Sequence, residues 1–314
     1  MKTIKFIDTT LRDGHQSLWA TRMRTAHMVP VAHLLDKAGF QSVELMGTVH
    51  FDACLRYLRE DPWERIRILS TALPRTPLGA LIRSKSLTSF NIVPDSVISL
   101  WIERCAANGI KRLMIFDALH DWNNLAKSVL TAKKAGIEVS VPLVYSLSPV
   151  HTDEFYAQKT QEMIQKLDPH TVMIKDSIGL LTPERTKTLV PTVKKYIGDR
   201  PLEMHSHCTT GLAPLCCIES VECGVDTLYT CMLPLANGPS HPSIEKMNMN
   251  LKRLGYDTDI DDAAVTAISD HFRYVAEREG LPLGVPAEYD AFQYIHQVPG
   301  GMITNLTFML SQRG

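Results

Sequence analysis

The chain has 314 residues, 45% of them hydrophobic, enough for one large domain or one barrel with an appendage. Its 33 basic and 34 acidic residues leave a net charge of −1, which removes any electrostatic reason to expect nucleic acid or an anionic membrane as partner. Lys2, Lys5 and Asp8 break up any secretory apolar segment at the start, no run approaches the ~18 apolar residues of a membrane span, and seven scattered cysteines form no C-x-x-C pair, so a reduced, cytoplasmic setting without disulfides or a thiolate zinc site is expected.

Short apolar runs alternate with longer amphipathic segments. In chain order, strands are predicted at Ile4 to Thr9, Ser42 to Met46, Arg112 to Asp117, Glu138 to Tyr145, Thr171 to Asp176, Pro201 to His207 and Asp226 to Thr230. Helices are predicted at Met28 to Gly39 and Phe51 to Leu58, and further helix-like segments end at Gly109, Gly136 and Gly224, where glycine suits a C-cap before the next strand. From about Ser243 the pattern becomes helical, with no strong strand. Such alternation means parallel βα units, compatible with a barrel or a doubly wound sheet. No G-x-G-x-x-G follows the first strand, and polar residues gather after the ends of several strands. Both features favour an α/β fold of the (β/α)8 TIM-barrel type over residues 1–245, with a short helical C-terminal appendage, 246–314, packing on the barrel mouth.

Three clusters carry candidate chemistry. His205-Ser206-His207 ends an apolar strand, where residues i and i+2 share a face, so both imidazoles project together as a partial metal site or as two hydrogen-bonded histidines. Asp8 to Gln16 follows the first strand, and Asp13 there offers a hard oxygen ligand, unless Asp and Thr simply cap the next helix. Lys175 closes the apolar run TVMI, where a buried ammonium must be paired or neutral. A neutral amine can take up CO2 as a carbamate and become an anionic ligand; the alternative is a structural ion pair with Asp176.

DTTLRDGHQSLWATR, IKDSIGLLTP, HSHCTTG, LPLANGPSHP and HQVPGGMITNL, in this order, resemble the carboxyltransferase domains of biotin-dependent enzymes, a group that includes pyruvate carboxylase, the oxaloacetate decarboxylase alpha subunit and transcarboxylase within the metallolyase barrel superfamily. The resemblance runs from about Phe6 to Leu306. It implies Asp13, carbamylated Lys175, His205 and His207 as ligands of a divalent metal, usually zinc, with manganese or cobalt as variants. It implies Arg12, Gln16 and Arg83 for binding a small 2-ketoacid of the pyruvate or oxaloacetate type, and Thr304 as the proton shuttle between the substrate methyl and biotin. Lys175, Arg83 and Thr304 are thus the expected catalytic groups of a carboxyltransferase or decarboxylase working through a metal-stabilised enolate, and a homodimer is the family's usual assembly.

The sequence departs from that pattern in places. Where the family reads E-x-W-G-G-A-T, this chain has Glu44-Leu45-Met46-Gly47-Thr48-Val49-His50; Ser84-Lys85-Ser86 and Phe90 replace a Gly-x-Asn and a tyrosine. No M-K-M biotinylation segment occurs, so biotin is expected from a separate carrier protein. The alternatives are a biotin-independent ketoacid decarboxylase, a carbon–carbon lyase or condensing enzyme, whose relatives lack a carbamylated lysine, and a non-catalytic barrel protein, which an intact ligand set disfavours.

Overall fold

The computed structural model describes residues 2–83, 85–87 and 91–311, so that Ser84 and Phe90 lie outside the described residues. Eight parallel strands close on themselves: β1 (Thr3–Asp8), β2 (Ser42–Gly47), β3 (Leu78–Ile82), β4 (Ile110–Ile115), β5 (Glu138–Val144), β6 (Thr171–Asp176), β7 (Leu202–Ser206) and β8 (Thr227–Thr230). Each pairs with the next, and β1 pairs with both β8 and β2, which completes the (β/α)8 barrel that the polar residues after the strand ends favour over a doubly wound sheet. β3 has no counterpart among the predicted strands. Its sequence, LGALI, is five residues long and lacks alternation, because both faces are covered. A two-residue strand, Asp257–Thr258, adds to the start of β1 where only helix is expected.

Two predicted helices differ in detail. Met28 to Gly39 is broken into Thr25–Met28, a 3-10 turn at Val29–Val31 and Ala32–Leu35, since Pro30 has no N–H to donate. Phe51 to Leu58 begins earlier, as Thr48–Ala53, and ends in a π-helical turn, Cys54–Leu58. The glycine stops hold. Gly39 has φ +87°, and a Cβ there would lie 1.9 Å from the Asp259 carbonyl oxygen, so only glycine admits this approach.

The outer ring runs through Ala32–Leu35, Pro62–Ala72, Asp95–Asn108, Trp122–Lys134, Asp153–Leu167, Pro183–Lys194, Ala213–Glu222, Ile244–Arg253 and Asp262–Glu279, the last packing back on the first. A division at 245/246 falls inside Ile244–Arg253, which stands in this ring together with Asp262–Glu279. Gly300–Ser311 is placed differently, against the short helix His15–Leu18 that follows β1.

The period of two in each strand sorts the barrel interior into layers. The lowest is polar: Arg112 of β4 is ion-paired with Glu203 of β7, and its guanidinium also donates to Tyr229 Oη (2.9 Å) and Thr171 Oγ1 (3.0 Å). Ser140 Oγ donates to the same glutamate at 2.9 Å. Above it lies a small apolar layer of Ile7, Met114, Met173 and Tyr229. Two residues further along β6 and β7 come Lys175 and His205, which are register partners, so their side chains emerge side by side at the carboxyl-terminal mouth.

Candidate metal centre and active site

The loop after β1 begins as a π-helical turn, Thr10–Gly14, closed by the Gly14 N–H on the Thr9 carbonyl (3.0 Å). π-turns widen the backbone and recur at functional sites. Here the turn delivers Arg12 and Asp13, both buried, into the mouth. Arg12 lies between two carboxylates: its Nε donates to Glu44 Oε2 at 2.7 Å, Nη2 also pairs with Glu44, and Nη1 donates to Asp13 Oδ2 at 2.6 Å. Ser17 Oγ donates to Asp13 Oδ1 at 3.0 Å. Burial alone would push the Asp13 carboxyl up, but the Arg12 guanidinium and His207 outweigh it and hold the group well below the usual carboxylate range. Asp13 is therefore anionic and fixed in orientation. Arg12, expected to bind substrate, donates three hydrogen bonds to Glu44 and Asp13, which fix its guanidinium beside the aspartate.

Around Asp13 Oδ2 stand three imidazoles. His205 Nε2 is 3.5 Å away, His207 Nε2 3.6 Å and His241 Nε2 3.3 Å, and one donor atom from each of these four residues lies within 4.8 Å of the others. Zinc bonds of about 2.0–2.1 Å place neighbouring tetrahedral ligands about 3.4 Å apart, so these separations suit one small divalent ion, and an N3O donor set is chemically apt. His207 Nδ1 donates to the Pro239 carbonyl at 2.6 Å, which turns the Nε2 edge of the ring toward Asp13. Burial drives His205 well below its ordinary value, with Lys175 and His241 adding to the effect, and burial brings His241 down to about 3. Neutral rings are the form that ligates.

Lys175 Nζ sits 2.6 Å from His205 Nε2 and only 4% of the residue is exposed. Burial and the nearby Arg12 lower its amine to about 7, against the pull of Asp13, Glu44 and Asp176. The Asp176 carboxylate is engaged elsewhere: it accepts the N–H groups of Gly179, Leu180 and Leu181 at 2.9–3.0 Å and the Ser206 hydroxyl at 3.2 Å. It shapes the loop after β6 instead of pairing with its lysine neighbour.

The other expected groups are Arg83, Gln16 and Thr304. Arg83 directly follows β3, is half-buried, and desolvation lowers its guanidinium from the ordinary value. Gln16 lies on His15–Leu18, where the Gly301 backbone comes close to it: a Cβ on Gly301 would be 3.7 Å from Gln16 Nε2 and 3.6 Å from Ser17 Oγ. A Cβ on Gly300 would lie 2.8 Å from Pro239, the residue whose carbonyl tethers His207. Gly300 thus lets the helix Gly300–Ser311 settle on the rim, and Thr304, half-buried, there donates to the Gly300 carbonyl at 3.1 Å. Of the departures in sequence, His50 is structural: the Gly47 N–H donates to its Nδ1 (3.1 Å) and its Nε2–H donates to the Arg12 carbonyl (2.9 Å), pinning the β1 loop. Lys85 pairs with Asp95.

Sequence reasoning misses His241, although it lies in the LPLANGPSHP segment. The available signal is a third histidine shortly after a strand end, but it sits in a turn, without strand periodicity to aim it. The fold aims it instead: Asn237 (φ +69°) and Gly238 (φ +53°) reverse the chain after β8, the Asn237 N–H binds the His241 carbonyl (2.7 Å), and the Cys208 N–H binds the Ser240 carbonyl (2.7 Å).

A family model described as HMGL-like matches residues 115–271, half of the chain. The chain belongs to the HMGL-like family. Within it, a pyruvate carboxylase subunit of Methanocaldococcus jannaschii is 40% identical over 312 residues, which are 99% of this chain and 55% of that protein. The 2-oxoglutarate carboxylase large subunit of Hydrogenobacter thermophilus is 34% identical over 98% of this chain and 47% of its own length. The solved carboxyl transferase domain of Rhizobium etli pyruvate carboxylase, with oxamate and biotin, superimposes with a TM-score of 0.92 at 29% identity, covering all of this chain and 54% of that one. This HMGL-like chain spans about half the length of the curated relatives it matches. Among the described residues no helix is long and apolar enough to cross a membrane.

Proposed function

We propose that this HMGL-like barrel transfers a carboxyl group to or from a small 2-ketoacid, with biotin presented on a carrier. The observation that carries the reading is the four-donor cluster around Asp13 at the carboxyl-terminal mouth, beside a buried lysine whose amine is brought to about 7. Similarity along the whole of this chain to about half of a pyruvate carboxylase subunit and of a solved carboxyl transferase domain supports the same conclusion.

Asp13, His205 and His207 would hold a divalent ion, zinc first and manganese or cobalt as substitutes, and Lys175 would join them as its carbamate. Such an ion supplies a Lewis acid for the ketoacid carbonyl as carbon three loses its proton. The chain's own groups do the rest. Arg83, after β3, grips the substrate carboxylate with paired N–H donors, and Gln16, after β1, orients it. Thr304, able both to donate and to accept, carries the proton between the substrate methyl and the biotin nitrogen. Arg12 keeps Asp13 anionic through the reaction. A homodimer and a cytoplasmic setting belong to the same reading, the latter supported by seven free cysteines.

The test is oxaloacetate decarboxylation by metal-analysed protein with and without free biotin, beside Thr304→Ala. Turnover that biotin raises and the substitution abolishes supports carboxyl transfer; turnover indifferent to both refutes the role of biotin and of Thr304.

A further inference from the structure

On the outer wall of the barrel, helices Trp122–Lys134 and Asp153–Leu167 flank a cleft of about 520 Å³ whose lining includes His120, Trp122, Asn123, Lys159 and Lys166. Two of these residues carry buried donors with nothing to donate to. His120 is 1% exposed and Trp122 3%, and neither His120 Nδ1 nor Trp122 Nε1 has a hydrogen-bond partner among the described residues. The Val144 N–H donates to His120 Nε2 at 2.9 Å, so that nitrogen presents its lone pair and the ring proton resides on Nδ1. Burial, with His151 and Lys159 nearby, brings the ring down to about 4, so it is neutral at neutral pH. An indole nitrogen is a donor only. The two rings lie 5.4 Å apart between centroids.

We infer that this cleft binds a small oxyanion, a carboxylate or a phosphate, through His120 Nδ1–H and Trp122 Nε1–H, with Lys159 and Lys166 supplying the counter-charge. A buried donor without a partner forfeits its hydration for nothing, so two beside one cleft call for an acceptor from outside the fold. The charges favour an anion. Lys166 bonds the neutral Asn123 side-chain oxygen and makes no ion pair among the described residues. The acidic groups of the cleft are already engaged. Glu162 accepts from Lys159 Nζ and Gln158 Nε2, both at 2.8 Å, and Asp121 accepts from the backbone and side-chain N–H groups of Asn123 at 3.0 and 2.9 Å. The turn holds the imidazole in place: His120 stands at φ +57°, its N–H on the Asp117 carbonyl (3.2 Å), while Asp117 Oδ1 accepts the Leu119 N–H (2.8 Å). Both donor nitrogens are shielded from bulk water, so entry of the anion requires rotation of exposed rim side chains such as Leu119 and Gln165. Oxyanion binding here requires neither a metal ion nor carboxyl transfer.

The experiment is proton–nitrogen NMR of the full chain with isotope-labelled indole nitrogens, titrated with sodium phosphate and, separately, with sodium acetate, the ionic strength held constant with chloride. The chain has four tryptophans, and Trp122→Phe identifies the resonance of interest. Wild type should show a saturable downfield shift of the Trp122 indole proton while the other three stay in place. His120→Phe should weaken binding about 10-fold or more, the equivalent of one hydrogen bond to a charged group. Lys166→Gln, at an exposed position where packing is undisturbed, should weaken it about 2–5-fold. Saturation with phosphate alone supports a phosphate ligand, and saturation with acetate a carboxylate one. No saturable shift with either anion would overturn the inference. Parallel movement of all four indoles, the mark of a bulk salt effect, would overturn it too, as would affinity unchanged in both folded variants.

Discussion

Glu44 touches no substrate in this account, yet its removal should disable the metal centre. Arg12 makes three charge-assisted hydrogen bonds, two to Glu44 and one to Asp13, all among buried atoms. Glu44→Ala deletes two of them and the bond from Thr9 Oγ1 (3.1 Å), leaving a buried guanidinium with Asp13 as its one remaining partner among them. At roughly 1.5–3 kcal/mol for each bond to a charged group, the two Arg12 bonds alone amount to a loss on the order of 3–6 kcal/mol, in line with the ~3–5 kcal/mol cost of breaking a buried ion pair. For a chain of 314 residues that is a fall in melting temperature of about 5–9 °C. Freed from Glu44, the guanidinium will draw Asp13 Oδ2 away from the three imidazoles, and metal affinity should drop ~10–100-fold as it does for lost supporting groups. Differential scanning calorimetry of the apo-protein and a competitive chelator titration read the two effects separately. A variant within about 1 kcal/mol of wild type, with unchanged metal affinity, would refute the argument that Glu44 and Arg12 set the aspartate.

Three other perturbations separate the parts of the barrel. Arg112→Ala leaves Glu203 buried without its cation in the lowest layer, and urea unfolding should show a loss of ~3–5 kcal/mol while cobalt stoichiometry stays at the wild-type value, because the apolar layer lies between. The Lys175 amine, lowered by burial from 10.5 to about 7, binds its proton more weakly folded than unfolded, so apo-protein stability is lowest below pH 7 and rises from there toward pH 10.5; Lys175→Met should flatten that rise in urea midpoints taken across the range, and an unchanged slope would contradict the assignment. Gly39→Ala must either push back the Asp259 carbonyl or abandon φ +87°, so a thermal melt should register a clear loss of stability, and an unaltered melting temperature would contradict that crowding.

Much of the architecture could be read from local signals, since strands such as TVMIKD and PLEMHSH carry apolar runs that close in polar groups. β3 could not, because a fully covered five-residue strand offers no alternation, and Asp257–Thr258 is a strand only through its pairing with β1. The site divides in the same way. His205 and His207 share a strand face and Asp13 follows a strand end, so sequence order already groups them. Arg12 and Glu44 lie 32 residues apart and His241 sits in an irregular turn, so their meeting at Asp13 depends on closure of the barrel.

The central claim is that the mouth of this barrel removes a proton from carbon three of a 2-ketoacid beside a bound metal ion. Proton NMR of pyruvate, with 2-oxoglutarate in parallel, in D2O with metal-replete protein tests it directly. Loss of the carbon-three proton signal of at least one ketoacid, abolished by chelation and by Asp13→Asn, is the predicted result. Metal-replete protein that exchanges neither ketoacid would contradict it.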